Sequence, residues 1–180
     1  MTLPFAIPTL TTARLTLRPP RESDLETLVA FGQSERTVFV GGKRDRFEAW
    51  RGFLAVIGHW ALRGYGYWSV ETRAGEFVGR VGISQHDGWP EPELGWHLFD
   101  GHEGQGYATE AALAARDHAY TVWGMGPVVS YIAHENHRSR GVAERLGARF
   151  EREGPEGEPH PYGIWRHPGA DGHPLTRRTA

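Results

Sequence analysis

The sequence predicts a single α/β (α+β) domain, in which a mixed, mostly antiparallel sheet of about seven strands has helices on both faces. Three observations support this fold class. The chain has 180 residues, the length of one domain with a sizeable core. Stretches of alternating polarity and stretches of helical periodicity follow in the order strand, two helices, three strands, helix, strand, helix, two strands. A Gly-x-Gly turn, residues 104–106, stands where the fourth strand gives way to the third helix.

The first strand and the first helix occupy residues 14–32. Residues 14–18 alternate polar and apolar side chains, as expected of a half-buried strand, and Pro19-Pro20 ends the strand. Ser23 is predicted to cap the helix, with Glu26 three residues later completing a capping box. The helix is expected to end near Gly32.

A second helix and a hairpin follow. Asp45 is predicted to open the helix, whose apolar residues recur at helical spacing until just before Gly64. Residues 65–72 and 77–85 are predicted to be the two strands of an antiparallel hairpin, joined by a turn at residues 73–76.

The second half of the chain continues the alternation of strands and helices. The predicted elements are a strand at 93–99, a helix at 107–123, a strand at 128–134, a helix from Asn136 or His137 to Leu146, and terminal strands near 149–152 and 162–166. Gly147 is predicted to end the last helix. Residues 168–180 are polar and are expected to be a flexible tail of a domain that spans residues 1–180.

Composition argues against several classes of protein. The net charge of −2 and the pI near 6.6 give no overall attraction to nucleic acid or to an anionic membrane. The absence of cysteine excludes disulfides, thiolate metal sites and a cysteine acyl carrier. The ten histidines lack the spacing of a metal site. Without a signal peptide or an apolar membrane span in the sequence, we expect a cytoplasmic monomer or homodimer without a metal ion.

Residues 104–109 form a candidate anion site. The first turn of a helix has unpaired backbone N–H groups, and glycines let phosphate oxygens approach them. Tyr107-Ala108 follows Gly106 where an ATP-binding loop needs Lys and Ser or Thr, and Thr109 replaces the third glycine of the dinucleotide fingerprint. These departures weaken ATP and NAD as ligands, and a tight turn without any ligand is the alternative.

Several motifs occur in a consistent order along roughly residues 12–167. They are Arg14-Leu15-Thr16-Leu17-Arg18-Pro19 with Glu22-Ser23-Asp24, Glu93-Leu94-Gly95-Trp96, Gly104-Gln105-Gly106-Tyr107-Ala108-Thr109-Glu110-Ala111, Asn136-His137-Arg138-Ser139, and Leu146-Gly147-Ala148-Arg149-Phe150. Together they resemble the GNAT superfamily of acetyl-CoA-dependent N-acetyltransferases, in particular the branch of ribosomal-protein-alanine acetyltransferases. The resemblance implies a GNAT fold with a splayed central strand pair, and acetyl transfer from acetyl-CoA to a primary amine, either a small molecule or a protein N-terminus.

The resemblance also implies where acetyl-CoA would bind. The pantetheine arm would lie along the fourth strand, with backbone N–H groups near His97 and Leu98 facing the acetyl carbonyl, and the pyrophosphate would lie on the loop. The implied cofactor-binding residues are Leu98, Phe99, Gly104, Gln105, Gly106, Tyr107, Ala108, Thr109 and Asn136. Gly101 stands where the family often has Gln or Arg, so the phosphates are expected to depend on backbone amides alone.

Glu93, His97 and Ser139 are the candidate catalytic residues. Alternation places Glu93 and His97 on one face of the fourth strand, about 13 Å apart, where either could relay a proton through water, and His134 is a further relay candidate. The alternatives are an ion-paired Glu93 and a His97 that only packs. By the resemblance, Ser139 would lie near the sulfur and its hydroxyl would bond the developing thiolate, although it could instead cap a helix with Asn136.

The acceptor amine is less constrained. Ala143 stands where many family members have the tyrosine that protonates the leaving thiolate, and this difference supports a contrasting class, a non-catalytic acyl-CoA-binding module. The loops at residues 34–44 and 85–92 are expected to frame the acceptor. Their acidic residues Asp87 and Glu91 would suit a cationic amine.

Overall fold

The computed structural model describes residues 6–157 and 160–170, which form eight strands and four α-helices. The strands are β1 (Leu10–Thr11), β2 (Leu15–Arg18), β3 (Tyr67–Thr72), β4 (Phe77–Ser84), β5 (Glu93–Leu98), β6 (Val129–Ala133), β7 (Arg149–Glu153) and β8 (Tyr162–Arg166). The helices are α1 (Leu25–Gln33), α2 (Arg46–Arg63), α3 (Tyr107–Thr121) and α4 (His137–Arg145), with short 3-10 helices at Glu22–Asp24 and Glu35–Phe39. Within these residues, no helix is long and apolar enough to cross a membrane.

The predicted fold class is confirmed, with one strand more than expected. That strand, β1, has only two residues, too few to show an alternating pattern. The predicted flexible tail falls largely outside the described residues, since the description ends at residue 170.

All eight strands form one sheet, in the order β1-β2-β3-β4-β5-β6-β8-β7. Neighbouring strands are antiparallel except β5 and β6, which run parallel and are paired only at Glu93 and Val129. β5 then continues to Leu98 without β6, which stays paired with β8. The two central strands therefore splay, as the family resemblance implies, and one backbone edge of β5 is left without a partner strand.

The sheet separates two layers of helices. α3 packs against β4 and β5 on one face. Its buried residues include the alanines Ala111, Ala112, Ala115 and Ala119. Because alanine has a short side chain, the helix can approach the sheet closely. On the other face, α1 and α2 contribute Leu28 and Phe53 to a separate apolar cluster with Phe99. Helices thus cover both faces, as predicted.

Two of the predicted helix starts are confirmed. The Asp45 carboxylate accepts the N–H of Glu48, and the Glu48 carboxylate accepts the N–H of Asp45, so a capping box begins α2. The same helix ends at Gly64, which has a left-handed φ of 76°. At α4, the Asn136 side chain accepts the N–H of Ser139 at 3.1 Å. These starts depend on residues close together in sequence.

The predicted cap at Ser23 is wrong. A 3-10 helix precedes α1, and its capping carboxylate belongs to Asp24, which accepts the N–H of Arg21 at 2.9 Å. The Asp24 carboxylate also forms a buried ion pair with Arg18 at 2.6 Å and accepts the hydroxyl of Ser69 at 2.7 Å. Arg18 and Ser69 come from β2 and β3, so the local pattern of a capping box could not reveal these partners.

A buried chain of hydrogen bonds joins β5, β6 and α3 where the splay begins. Arg116 Nη1 donates to His167 Nδ1 at 3.3 Å, and His167 Nε2 lies 2.9 Å from the Ser130 hydroxyl, which donates to the Leu94 carbonyl. Burial, followed by the charge of Arg116, lowers the pKa of His167 to about 3, so its imidazole is neutral. Since Nδ1 accepts from arginine, the ring proton is assigned to Nε2.

Candidate active site

Three rows of residues cross the sheet on the face that α1 and α2 cover. In strand register they are Ser84–Glu93, Tyr67–Gly82–Gly95 and Ser69–Arg80–His97. Arg80 and His97 line a small cavity together with Phe31 of α1 and Phe53 of α2, which identifies the face. Because residues two apart on a strand share a face, Glu93 lies on the same side as His97, as the sequence predicts.

Tyr67 lies across two glycines. A Cβ atom at Gly95 would stand 1.8 Å from Tyr67 Oη, and one at Gly82 would stand 2.4 Å from Tyr67 Cα. Glycine at both positions therefore lets the phenol cross β4 and reach β5. Burial, followed by the charge of Glu93, raises the pKa of Tyr67 above its usual range, and its hydroxyl is hydrogen-bonded to Ser84. The phenol consequently stays protonated beside Glu93.

Glu93 stands at the single position where β5 and β6 are paired. Its carboxylate accepts a hydrogen bond from the backbone N–H of Tyr131 on β6. Burial outweighs this hydrogen bond and raises the pKa of Glu93 to about 7. A carboxyl that exchanges its proton near neutral pH is suited to general base chemistry.

His97 is neutral and enclosed by aromatic rings. Its ring stacks on Phe31, with centroids 4.9 Å apart, and on Tyr67 at 6.5 Å. Burial, followed by the charges of Arg80 and Arg44, lowers the pKa of His97 to about 3. An imidazole with so low a pKa is a weak base at neutral pH, so the geometry favours a packing role for His97 over a proton relay.

A cleft of about 930 Å³ opens beside the splayed strands. Four of the predicted site residues line it: Glu93, His97, Asn136 and Ser139. Both expected loops also contribute, the first through residues 38–42 and the second through His86 and Trp89. Among the described residues, no group of three or more histidine or acidic side chains could hold a metal ion.

Alternate residues of β5 direct their backbone toward the splay. The N–H of Phe99 donates to the Val78 carbonyl, which shows that odd-numbered residues bond β4. The Leu98 carbonyl instead accepts from Arg36, on the opposite edge. The N–H groups of Trp96 and Leu98 therefore face the splay, where a pantetheine arm or an acetyl carbonyl would lie.

Two predicted backbone contacts are directed elsewhere. The amide of Phe99 is used within the sheet, and its ring is buried with Leu28 and Phe53. The amide of His97, which pairs with Arg80, also points toward β4. Neither group is available to a cofactor in the splay, because each is committed to the sheet.

His134 and Ala143 lie away from the cleft. His134 Nε2 contacts the Glu153 carboxylate at 2.7 Å, and its side chain is 44% exposed. This pairing with β7 argues against a relay role. Ala143 is fully buried with Ile132 and Trp165, so this position adds nothing to the cleft.

The acidic residues of the second loop do not line the cleft. Glu91 binds Arg166 through both carboxylate oxygens and lies 3.5 Å from Arg152. Asp87 is exposed and is absent from the cleft lining. Neither carboxylate is therefore placed to attract a cationic amine, contrary to the expectation from the sequence.

The loop from Gly104 to Thr109 presents its backbone to solvent. Gly104 and Gly106 have left-handed φ angles of 73° and 81°, and Gly106 begins α3 without a side-chain cap. A Cβ atom at Gly104 would meet nothing within 4 Å. No acceptor for the N–H groups of residues 104–109 is found in the described part of the chain. These open amides at a helix N-terminus fit a phosphate.

Arg14, in the turn between β1 and β2, holds the loop in place. Its Nη1 donates to the Gln105 carbonyl at 2.8 Å, and its Nε pairs with Glu110 of α3 at 2.6 Å. Glu110 also accepts from the Thr12 hydroxyl at 2.6 Å, and the guanidinium lies 5.0 Å from the centre of the Tyr107 ring. The first strand and the third helix are thereby joined at the loop.

A second guanidinium adjoins the same loop. Arg145 of α4 donates to the Thr109 hydroxyl at 3.2 Å. Gly101 contributes no side chain to the loop, and a Cβ atom at this position would meet nothing within 4 Å. The guanidinium groups of Arg14 and Arg145 lie beside the loop, so a phosphate bound there would not depend on backbone amides alone.

Comparison with known proteins assigns a family to this geometry. A family model described as an acetyltransferase (GNAT) domain matches residues 14–149. The chain belongs to the GNAT acetyltransferase family. Acetyl-CoA is the cofactor of the GNAT acetyltransferases.

Individual relatives of this GNAT acetyltransferase agree with that assignment. An uncharacterized Bacillus subtilis protein, YkkB, is 31% identical over 153 residues, covering 79% of this chain and 86% of that protein. A crystal structure of an acetyltransferase from Agrobacterium tumefaciens is 38% identical, with a TM-score of 0.83 over 93% of this chain and 98% of that one. RimL, a ribosomal L7/L12 alpha-N-protein acetyltransferase solved with coenzyme A, shares the fold at 18% identity, with a TM-score of 0.74 over 87% and 94% of the two chains.

The residues of this GNAT acetyltransferase fit CoA. The open amides of residues 104–109, flanked by Arg14 and Arg145, suit the pyrophosphate. The N–H groups of Trp96 and Leu98 lie on the unpartnered edge of β5, which suits the amides of the pantetheine arm. The cleft beyond them has room for an acceptor.

The predicted site of this acetyltransferase does not include Tyr67 or Arg80. Both occupy ordinary strand positions, and the sequence signal for Tyr67 is indirect, since Gly82 and Gly95 interrupt two strands. Glycine within a strand marks close approach of another group. The strand register, which pairs Gly82 with both Tyr67 and Gly95, is needed to say which group approaches.

Proposed function

We propose that this chain is an acetyl-CoA-dependent N-acetyltransferase that acts on a primary amine. The observation that carries the proposal is Glu93, a cleft carboxyl with a pKa near 7 at the start of the splay. An amine is protonated in water and must lose a proton to become a nucleophile, so the reaction needs such a base. RimL, which shares the fold, is an alpha-N-protein acetyltransferase, and this supports an amine acceptor.

In the proposed reaction the protein positions the amine and receives its proton. Bound acetyl-CoA supplies the acetyl group, whose carbon bonds to the amine nitrogen while its bond to sulfur breaks. Glu93 accepts the ammonium proton, directly or through a water molecule. The protonated phenol of Tyr67 is held across Gly95, where it gives Glu93 a neighbour of fixed position. The N–H groups of Trp96 and Leu98 donate to the carbonyl oxygen as its charge increases.

A hydroxyl near α4 is proposed to stabilise the leaving thiolate. Ser139 lines the cleft, and the cap of α4 uses its backbone N–H rather than its hydroxyl. Tyr131 is a second donor, since its buried hydroxyl lines the cleft and has no hydrogen-bond partner among the described residues. Either hydroxyl could take the role that the family gives to the tyrosine replaced here by Ala143.

Thiol release from acetyl-CoA tests the proposal when measured against a panel of amines that includes peptide N-termini and small molecules. We expect turnover on at least one amine, and we expect Glu93→Gln to lower it by about 100-fold while calorimetric CoA affinity stays unchanged. Tight CoA binding without turnover on any amine would contradict the proposal. It would favour the non-catalytic acyl-CoA-binding module instead.

A further inference from the structure

We propose that the acceptor is a small amine that also carries a carboxylate, and that Arg80, assisted by Arg44, binds this carboxylate in a side cavity of the cleft. This inference rests on the proposed N-acetyltransferase function and names its substrate class. Four observations lead to it: the buried Arg80 atoms without a hydrogen-bond partner, the bonding of Asp24 to other groups, the shape of the cavity and the charge of the surrounding walls.

Arg80 is a buried cation that the protein itself only partly satisfies. Its side chain is 8% exposed, yet it lines both the cleft and the small cavity beside it. Its Nε and Nη2 atoms are buried and have no hydrogen-bond partner among the described residues. Burial lowers the pKa of Arg80 to about 10, which still leaves the guanidinium charged at neutral pH. A buried charge without a partner is costly, so such a group in a cleft points to a ligand of opposite charge.

The nearest carboxylate of the protein is already committed. Asp24 interacts electrostatically with Arg80, but its Oδ1 accepts from Arg18 and its Oδ2 accepts from Arg18, Arg21 and Ser69. These four hydrogen bonds, three of them at Oδ2, join Asp24 to Arg18, Arg21 and Ser69, and none joins it to Arg80. Asp24 is therefore bonded to other groups, and Arg80, whose guanidinium lies 6.0 Å from the centre of the Tyr67 ring, forms no ion pair with it.

The small cavity adjoins the cleft and has the size of a compact anionic group. Its volume is about 60 Å³, enough for a few heavy atoms. Five residues line both the cavity and the cleft, so the two spaces meet there: Val40, Arg44, Gly52, Arg80 and His97. Apolar side chains such as Phe31 form the remaining wall, and the hydroxyl-bearing Thr37 is also present.

The charges around the two spaces favour an anion. Arg44 and Arg80 both line the small cavity, and each lowers the pKa of His97, which stays neutral between them. No acidic side chain belongs to the cavity wall in the described part of the chain. Glu93 is the carboxyl of the cleft lining, and it stands in a different row of the sheet from Arg80. The amine is thus received at Glu93 and the carboxylate at Arg80.

The depth of Arg80 argues for a small acceptor. A guanidinium that is 8% exposed at the base of a cleft is reached by a slender group rather than by the surface of a folded protein. A protein N-terminus whose nearby residues are neutral would leave Arg80 unpaired. Such an acceptor is therefore a contrary outcome of the experiment.

The experiment compares acceptors in matched pairs. The compounds 4-aminobutyrate, 6-aminohexanoate and 8-aminooctanoate, whose amine and carboxylate are increasingly far apart, are each tested against the corresponding carboxamide. Rates are measured at equal concentrations of the unprotonated amine, by thiol release from acetyl-CoA. We expect kcat/KM for the preferred carboxylate to exceed that of its carboxamide by about 10-fold or more, as for a charge-assisted bond. Arg80→Gln should remove the preference, mainly by raising KM for the carboxylate member of the pair.

Three further variants distinguish the effect of losing a charge from the effect of losing the fold. Arg80→Lys retains the charge and should keep part of the preference, whereas Arg44→Gln should weaken it by a smaller factor because Arg44 is exposed. Arg46→Gln is the control, since Arg46 pairs with Glu26 on the surface away from the cleft. Should Arg80→Gln fail to fold, the Arg80→Lys and Arg44→Gln variants decide the outcome.

A binding measurement makes the result independent of turnover. The N-acetylated carboxylates and carboxamides are titrated into the CoA-bound protein by calorimetry. If the carboxylates bind in a way that depends on Arg80 but no amine is turned over, the proposed transferase activity is wrong and the anion site stands. Turnover with equal rates for both members of every pair, or a better rate on a neutral peptide N-terminus, would overturn the anion site and keep the transferase. Failure of both assays would overturn both.

Discussion

At the scale of single residues, Glu93 shows how the splay produces chemistry. The strand pairing ends at this residue, so its carboxylate is held by the Tyr131 N–H on one side and open to the cleft on the other. The protein atoms packed around it displace part of its hydration and raise its pKa to about 7.

Glu93→Gln is expected to lower kcat by about 100-fold, the usual contribution of a general base. Because the carboxyl must be ionised to accept a proton, the wild-type rate should rise as pH increases through about 7. The variant should lose this pH dependence and bind CoA normally. Steady-state kinetics across this pH range check the prediction, and a wild-type rate that is flat through pH 7 would exclude Glu93 as the base.

Gly95→Ala is expected to displace Tyr67, because the new Cβ atom would stand 1.8 Å from its hydroxyl oxygen. We expect a loss of about 1–3 kcal/mol in the free energy of unfolding, typical of overpacking, together with reduced turnover. Adding Tyr67→Phe removes the nearest atom and should restore part of the stability, since the next ring atom is 3.0 Å away. Urea unfolding measures both variants, and additive losses in the double variant would contradict this contact.

At the scale of secondary-structure elements, local sequence patterns predict most boundaries but few partners. Asp45 and Gly64 delimit α2 because capping depends on the immediate backbone. Ser23 fails as a cap because Asp24 is held by residues of β2 and β3, which no local pattern includes. The same distinction between local pattern and distant partners applies to the residues of the candidate site. Motif residues such as Glu93 are placed in the cleft as expected, whereas Arg80 gains significance only through its neighbours across the sheet.

The start of α4 separates a structural role from a chemical one. Asn136 caps the helix by accepting the N–H of Ser139, so Asn136→Ala should cost about 1 kcal/mol of stability. Ser139→Ala keeps that N–H and should leave stability nearly unchanged while lowering kcat by about 10-fold, with a smaller change in CoA affinity. Thermal unfolding and kinetics of the two variants check this division. An unchanged rate in Ser139→Ala would leave the thiolate role to Tyr131.

The phosphate loop depends on an element distant in sequence. Arg14 binds the Gln105 carbonyl and Glu110, so Arg14→Met should remove both the support of the loop and a nearby positive charge. We expect CoA affinity to fall by about 10-fold, measured by calorimetry. Arg46→Met, which breaks a more exposed surface ion pair with Glu26, should leave the affinity unchanged. Equal affinities of the two variants would contradict the role of Arg14.

At the scale of the whole molecule, burial of titratable groups sets how stability depends on pH. His97 and His167 have pKa values lowered to about 3, whereas the unfolded chain takes up these protons below about 6.5. Each therefore adds stability above pH 6.5 that is lost as the pH falls. Glu93 acts in the opposite sense. Its pKa is raised from 4.5 to about 7, so its contribution is greatest at low pH and is lost as pH rises.

Between about pH 4.5 and 6.5, the two histidines outweigh the single carboxyl, and His86 and His118, whose pKa values burial also lowers, act with them. In this range the unfolded chain therefore binds at least one proton more than the folded chain. The free energy of unfolding should rise by at least about 1.4 kcal/mol per pH unit. Glu93→Gln should steepen the slope to about 2.7 kcal/mol per unit, and His167→Asn should flatten it. Urea unfolding near pH 5 and pH 6 measures these slopes, with His137→Asn at an exposed position as the control. Parallel slopes in the wild type and both variants would show that neither buried group retains its shifted pKa.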